Sequence, residues 1–321
     1  MGKLQAPAIL ELLVQESDES HTLAMSNLVN ELDFQYGITA ERHSLGRKIN
    51  SLNDDYDMGI EYDNADKGYR LTKHLFTRAE QFMLCNALHA ATYVNKSISD
   101  ELIKKILSTG SRYYKAEFQS IIFHPNPRKV ENEQLMQNMD TVEVAIMNGY
   151  KISFDYMHYE LDMHMHIKNK VPIIAEPRYI AYQGAQAYLI ITGGRHKGFM
   201  VYRFDKIANA KIIKEKVSYL DSNMDACEFS NSKLFMYTGD TMNVTFRIKK
   251  SKLDLLVDSF GLNIHPHEYN DELYECTVKT TDKAALIFAQ KYIDVVELAS
   301  PRELREKMRT LLSKAAEMYS K

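Results

Sequence analysis

The chain has 321 residues, with 40 Lys and Arg against 43 Asp and Glu for a formal net charge of −3, and it is 45% hydrophobic and 26% charged. That balance excludes wholesale disorder, and no apolar run approaches the ~18 to 20 residues that cross a bilayer. The length predicts two or three compact units, each with its own core. The N-terminus, Met1-Gly2-Lys3-Leu4-Gln5-Ala6, has no apolar leader, and Ala6 stands where a myristoylation signal carries Ser or Thr. A cytoplasmic location with no membrane partner is expected. Cys85, Cys227 and Cys276 are scattered, without metal-ligand or CxxC spacing, and are expected to be reduced thiols.

Apolar residues recur at helical spacing over residues 8 to 16, and the short polar run Ser17 to His21 ends that first helix. Thr22 to Leu32 is predicted as a second helix, with Leu23, Leu28, Val29 and Leu32 on one face, closed at Tyr36-Gly37. A third is predicted from about Ala40 to Asn53. In it Leu45, Ile49 and Leu52 share a face, and Arg42, His43, Ser44, Gly46 and Arg47 lie elsewhere on the circumference. Gly59 to Asp63 and Gly68 to Leu71 then flank the polar tip Asn64-Ala65-Asp66-Lys67, as a hairpin would. Three short helices and a hairpin are the layout of a winged helix-turn-helix, predicted over residues 1–75.

Residues 76–149 are predicted to be a helical connector. Thr77-Arg78-Ala79-Glu80 is a capping box opening a helix to about Val94, and further helices are expected over Asp100 to Ser108 and Val130 to Met147, the latter stopped by Asn148-Gly149. From Tyr150 the period changes to 2. Lys151 to Tyr159, Ile173 to Tyr182, Ala187 to Thr192 and Phe199 to Phe204, separated by Gln183-Gly184 and Gly193-Gly194, predict a small antiparallel β-barrel over residues 150–225. Over residues 235–321 the predicted order is strand (Met242 to Ile248), helix (Lys252 to Phe260), strands (Leu262 to Glu268 and Leu273 to Lys279), helix (Lys283 to Lys291) and strand (Val295 to Leu298). That is a ferredoxin-like βαββαβ order. Ser300-Pro301-Arg302-Glu303 is expected to cap a last helix.

The segment Glu176-Pro177-Arg178-Tyr179 through Ile191, then His196-Lys197-Gly198 and Val201 to Ile207, resembles a WYL domain. The family's Trp-Tyr-Leu-like triplet corresponds to Ala187-Tyr188-Leu189. Its closing pattern corresponds to Arg203-Phe204-Asp205-Lys206-Ile207, with Lys206 where the family usually has Arg. Residues 8 to 73 look like the family's winged helix, with Glu41 to Ile49 at its recognition helix and Gly46 and Lys48 departing from a usual Arg and Asp. Residues 238 to 319 look like its C-terminal extension. The resemblance implies an α+β multidomain chain: winged helix-turn-helix, helical connector, SH3/Sm-like antiparallel WYL barrel, and a ferredoxin-like extension serving dimerisation. It further implies a DNA-binding transcription regulator whose barrel senses a nucleic acid or nucleotide, as a homodimer on an inverted-repeat double-stranded operator. Control of phage-defence or DNA-damage genes is the expectation that follows. The alternative is an RNA- or single-stranded-DNA-binding accessory protein of a CRISPR or other defence system.

Arg42, His43, Ser44, Arg47, Lys48 and Lys67 are the candidate DNA contacts, since Arg can take guanine as a bidentate pair and the others can reach phosphate. Residues 1 to 75 nevertheless hold seven Lys or Arg against thirteen Asp or Glu, a balance of −6 that predicts weak non-specific binding. The candidate ligand site comprises Tyr188, Arg203 and Lys206, with Tyr202 and Tyr156 able to extend a stacking platform and Ser153 and Arg178 as weaker members. An arginine alternating with apolar strand residues needs an anion, which could be Asp205, Asp155 or a ligand. His158, Glu160, Asp162, His164 and His166 superficially resemble a metal cluster, but nothing in their spacing fixes a geometry, and neither metal nor cofactor is expected. No GxSxG, Walker, GxGxxG or HExxH motif occurs, so the chain is not expected to be an enzyme.

Overall fold

The computed structural model describes residues 5–121, 129–193, 198–218 and 239–320. It comprises two compact units, Met1–Glu133 and Gln134–Lys321, and is mixed α+β with curled antiparallel sheets. Among the described residues no helix is long and apolar enough to cross a membrane.

The first unit begins with α1 (Gln5–Glu16), β1 (Leu23–Ala24), α2 (Met25–Tyr36), α3 (Arg42–Tyr56), β2 (Ile60–Asp63) and β3 (Gly68–Leu71). β3 lies between β1 and β2, antiparallel to both. The helically spaced apolar residues converge here: Ile9, Leu12 and Leu13 of α1, Leu28 and Leu32 of α2, and Leu45 and Ile49 of α3 form one buried cluster with Ile60 and Leu71. At roughly 1.5–3 kcal/mol per buried aliphatic side chain, this cluster is the main force holding the three helices on the hairpin. α2 stops at Gly37, whose φ of +62° a residue without a side chain adopts at least cost, and the Gly37 N–H donates to the Asp33 carbonyl at 2.9 Å. Strand β1 had no sequence signal, because two residues are too few to show a period.

The same unit continues with α4 (Arg78–Ala90), α5 (Lys96–Leu107) and α6 (Arg112–Ile121). The Thr77 capping box forms: its N–H donates to Glu80 Oε2 at 2.8 Å and the Glu80 N–H to Thr77 Oγ1 at 3.3 Å. Helix α6 was not predicted, yet its start is tied to the turn after α1. Ser111 Oγ donates to the buried Asp18 carboxylate at 2.6 Å, and the His21 ring stacks on Tyr113 with centroids 3.6 Å apart. Burial opposes ionisation of Asp18, but the bonds from Ser111, His21 and Ser20 prevail and hold it below the usual carboxylate range.

In the second unit α7 (Leu135–Asn148), read from sequence as the end of the connector, packs on the strands that follow. Asn138 Nδ2 donates to the Ile207 carbonyl at 2.8 Å and Asn138 Oδ1 accepts from the Ala210 N–H at 3.1 Å. The strands are β4 (Tyr150–Tyr159), β5 (Met165–Ile167), β6 (Ile173–Gln183), β7 (Gln186–Thr192), β8 (Met200–Arg203) and, after a 3₁₀ turn at Phe204–Lys206, β9 (Ile207–Lys216). Their order is β5-β4-β6-β7-β8, and β9 returns to pair with β4, so the sheet curls back on itself around Ile152, Phe154, Leu189 and Phe204. The expected Gly193-Gly194 turn and the His196-Lys197 segment lie partly or wholly outside the described residues, as does Cys227.

The rest of this unit runs β10 (Thr241–Lys249), α8 (Asp254–Phe260), β11 (His267–Glu268), β12 (Leu273–Thr281), α9 (Asp282–Lys291), β13 (Val296–Ser300) and α10 (Arg302–Met318). The sheet order is β11-β12-β10-β13, antiparallel throughout. Alternation places Val244, Phe246 and Ile248 in the core with Phe288, Leu298, Leu304 and Met308. The capping box expected at Ser300 does not form: Ser300 ends β13, Pro301 occupies the cap position, and no side chain caps α10.

Candidate nucleic-acid interface and barrel cluster

Helix α3 has two sides because its apolar residues recur with the helical period. Leu45 and Ile49 are buried, which turns Arg42, His43 and Arg47 outward as exposed residues, with Ser44 and Lys48 half-buried at the margin. Lys67 is exposed at the tip of the β2–β3 turn, in the left-handed region at φ +51°. Among the described residues, Arg42, Arg47, Lys48 and Lys67 have no ion-pair or hydrogen-bond partner. The other described cations before residue 75 are used internally: Arg70 pairs with Asp63 and donates to the Glu19 carbonyl at 3.1 Å, and Lys73 meets Asp57 at 2.5 Å. These pairs take up as many acids as cations, so the net charge of −6 over residues 1 to 75 is unchanged.

In the barrel, β8 and the 3₁₀ turn bring Arg203 and Asp205 together. Asp205 is fully buried, and its carboxylate accepts from Arg203 Nε at 3.0 Å and from Nη2 at 2.5 Å. Of the three anions that could have answered Arg203, the structure uses Asp205, while Asp155 accepts from Asn169 and Asn209. The hydrogen bond from Arg203 to Asp205 raises the guanidinium pKa, against burial, and favours the charged pair. Its side chain remains about one-third exposed, and Nη1 has no partner among the described residues.

Tyr188 sits directly across the β7–β8 ladder from Arg203. Tyr202 packs edge-on against Phe154 and Tyr156, at 5.2 and 4.9 Å between centroids. Burial pushes the Tyr156 phenol up, partly offset by a hydrogen bond from the Arg203 backbone. Tyr188 shares one face of the β7–β8 ladder with Arg203, whereas Tyr202, one residue earlier on β8, leaves the other face and packs with Tyr156 and Phe154; Asp205 is the anion that pairs with Arg203. Lys206 is half-buried on the 3₁₀ turn and has no ion-pair or hydrogen-bond partner among the described residues.

Two candidates lie apart. Ser153 alternates with the buried Ile152 and Phe154 on β4, so its side chain leaves the opposite face of the strand from Tyr156. Arg178 belongs to a separate network: Nε donates to Thr192 Oγ1 at 2.7 Å, and Nη2 to Glu176 Oε2 at 2.6 Å and to the Ser218 carbonyl at 3.0 Å. Burial opposes ionisation of Glu176, but hydrogen bonds from Ser218 and Thr192 and the Arg178 charge outweigh it and hold the carboxyl below its ordinary range. With those partners, Arg178 fastens β6 to β7 and to the end of β9.

The histidines of the β4–β5 hairpin pair locally with acids, His166 with Asp162 at 2.7 Å and His158 with Glu160 at 3.4 Å. Among the described residues no group of three or more His, Cys, Asp or Glu is placed to hold a metal ion. Burial pushes the Cys85 thiol up to about 11 and raises that of Cys276, so neither is a ready nucleophile.

No model of a known protein family matches the chain, and no curated protein does. Solved structures give loose overlaps. Proteasome accessory factor B/C (PafBC) of Arthrobacter aurescens overlaps 99% of this chain and 49% of its own, with 15% identity and a TM-score of 0.29. The present chain thus spans about half the length of that protein. A CRISPR Cas-related protein overlaps 99% and 92%, with 13% identity and a TM-score of 0.38. Overlaps this loose assign neither a family nor a function.

Proposed function

We propose that the chain is a DNA-binding transcriptional regulator, in which a winged helix-turn-helix head over residues 1–75 reads DNA and a WYL-like barrel over residues 150–225 senses a nucleic acid or nucleotide. The observation that carries this proposal is the set of cations without a partner among the described residues, Arg42, Arg47 and Lys48 on one helix and Lys67 on the adjoining hairpin tip, in a head that is otherwise acidic. Exposed Arg42 and Arg47 at the start of a helix suit base edges and phosphates in a major groove, and a lysine on a hairpin tip suits the neighbouring backbone. Among the described residues, Arg70 and Lys73 are instead paired with Asp63 and Asp57.

In the barrel the ligand would be a planar anion. Tyr188 supplies a face, and the outer edge of Arg203 with Lys206 supplies charge for a phosphate. Such a ligand changes DNA affinity only by binding two states of the dimer unequally. A ferredoxin-like extension over residues 235–321 would hold that dimer. Fluorescence anisotropy with duplexes from the region upstream of the protein's own gene tests the proposal: sequence-selective, salt-sensitive binding is expected, and equal binding to all duplexes would count against it.

The net charge of the head, near −6, favours one rival, an accessory protein that binds RNA or single-stranded DNA through the barrel. There Arg203→Ala abolishes nucleic-acid binding and Arg42→Ala leaves it unchanged. A regulator shows the opposite dependence for duplex DNA.

A further inference from the structure

The β2–β3 hairpin carries its core face outward along α3. Ile60 and Leu71, opposite each other on the two strands, are buried in the head core. Two positions nearer the turn, the same face presents the next pair, Tyr62 and Tyr69, with ring centroids 5.0 Å apart in edge-to-face contact. Tyr62 is exposed, while Tyr69 is half-buried and packs against the core. Strand β3 is the middle strand of three, which fixes Tyr69 from both sides: its backbone lies opposite Leu23 on β1 and Tyr62 on β2. The preceding Gly68 is pressed so close to β1 that a Cβ there would stand 3.0 Å from the Leu23 backbone.

The Tyr69 ring ends at Gly46 of α3. A Cβ atom at Gly46 would lie 3.6 Å from the Tyr69 hydroxyl oxygen, and a longer side chain there would compete with the phenol for the same space. By the helical period Gly46 occupies the flank of α3, between the buried Leu45 and Ile49 and the outward Arg47 and Asn50. The hydroxyl has no hydrogen-bond partner among the described residues, although a phenol held against a core ordinarily finds one. Burial and the neighbouring Tyr62 raise its pKa, so it remains a protonated donor at neutral pH.

We propose that the Tyr69 hydroxyl donates to a DNA phosphate on the wall of the groove that α3 enters, and so sets the depth and angle of the helix without reading sequence. An α-helix with its side chains is about 10–12 Å across, and the major groove is about 12 Å wide. The crest of an inserted helix therefore faces base edges, and its flanks face the phosphate walls. Arg47 lies near the crest, whereas the Tyr69 hydroxyl stands at the flank, where a neutral donor meets a phosphate oxygen. Gly46 leaves that flank open for it. This contact rests on the DNA-binding reading of the head, and it adds a residue that counting charges does not find.

Anisotropy with a duplex that the unmodified chain binds selectively, repeated with Tyr69→Phe, tests it. Phenylalanine keeps the ring against Tyr62 and α3, so thermal unfolding should not change. Affinity should fall about tenfold, as expected for losing a hydrogen bond to a charged group. The slope of log affinity against log salt should stay the same, because a neutral donor releases no counterion, and the preference among duplexes should be retained. Replacing phosphates one at a time by neutral methylphosphonate should collapse the difference between the two proteins at one position and preserve it at the others. Equal affinity of the two proteins overturns the contact and leaves the DNA-binding reading standing. A loss confined to one base pair, with no phosphate position coupled to Tyr69, overturns it as well and makes Tyr69 a reader of sequence. If the unmodified chain prefers no duplex, the DNA-binding reading fails and the contact with it.

Discussion

Arg203 and Asp205, two residues apart at the turn from β8 to β9, are closed on each other, with the carboxylate fully buried and the guanidinium reaching the surface. The pair holds the turn and leaves one edge of the arginine toward solvent. An anionic ligand would have to use that edge.

Asp205→Asn should therefore do two things. It weakens a buried charge-assisted pair, and because Arg203 can turn toward water the cost is about 1–3 kcal/mol, below that of a wholly buried pair. It also frees the guanidinium, so short phosphate-bearing oligonucleotides should bind this variant more tightly than the unmodified chain, and Arg203→Ala less tightly. Urea unfolding and anisotropy read the two effects. Equal oligonucleotide affinity in all three proteins would remove Arg203 from the site.

Acid should weaken the barrel through Glu176. Its folded-state pKa is depressed, so its stabilisation is present above the unfolded value and is lost as pH falls through the folded one. The loss should set in from about pH 4 downward. Glu176→Gln should be less stable at neutral pH and show a shallower decline below that point, measured by urea midpoints across pH. A decline as steep as in the unmodified chain would show that other carboxylates carry it.

In the head, core and surface of α3 should separate cleanly. Leu45→Ala removes a fully buried side chain and should cost about 2–5 kcal/mol, lowering the melting temperature and DNA binding together. Arg47→Ala, on the exposed side, should leave stability within about 0.5 kcal/mol and lower DNA binding alone. Thermal melts and anisotropy distinguish the two.

The long amphipathic stretches were legible in the sequence. Leu45 and Ile49 placed Arg42 and Arg47 on the outer side of α3, and Gly37 and Gly149 marked helix ends correctly because each must adopt a positive φ. What escaped notice is short or held by distant partners. Strand β1 is two residues, α6 is fixed by Ser111 reaching Asp18 across 93 positions, and β9 pairs back to β4 from outside any predicted strand. The barrel candidates were found by residue type, and only pairing in space shows that Arg178 is consumed by Glu176, Thr192 and Ser218. Ser153 and Tyr156, three residues apart on β4, leave opposite faces by the strand period itself.

The central claim is that the outward side of α3 meets DNA. Its most direct test is the salt dependence of anisotropy for the unmodified chain, Arg42→Ala and Arg47→Ala on one selectively bound duplex. The expected result is weaker binding in both variants, with the slope of log affinity against log salt shallower by about one for each cation that contacts phosphate. Affinity and slope indistinguishable from the unmodified chain in both variants would contradict the claim.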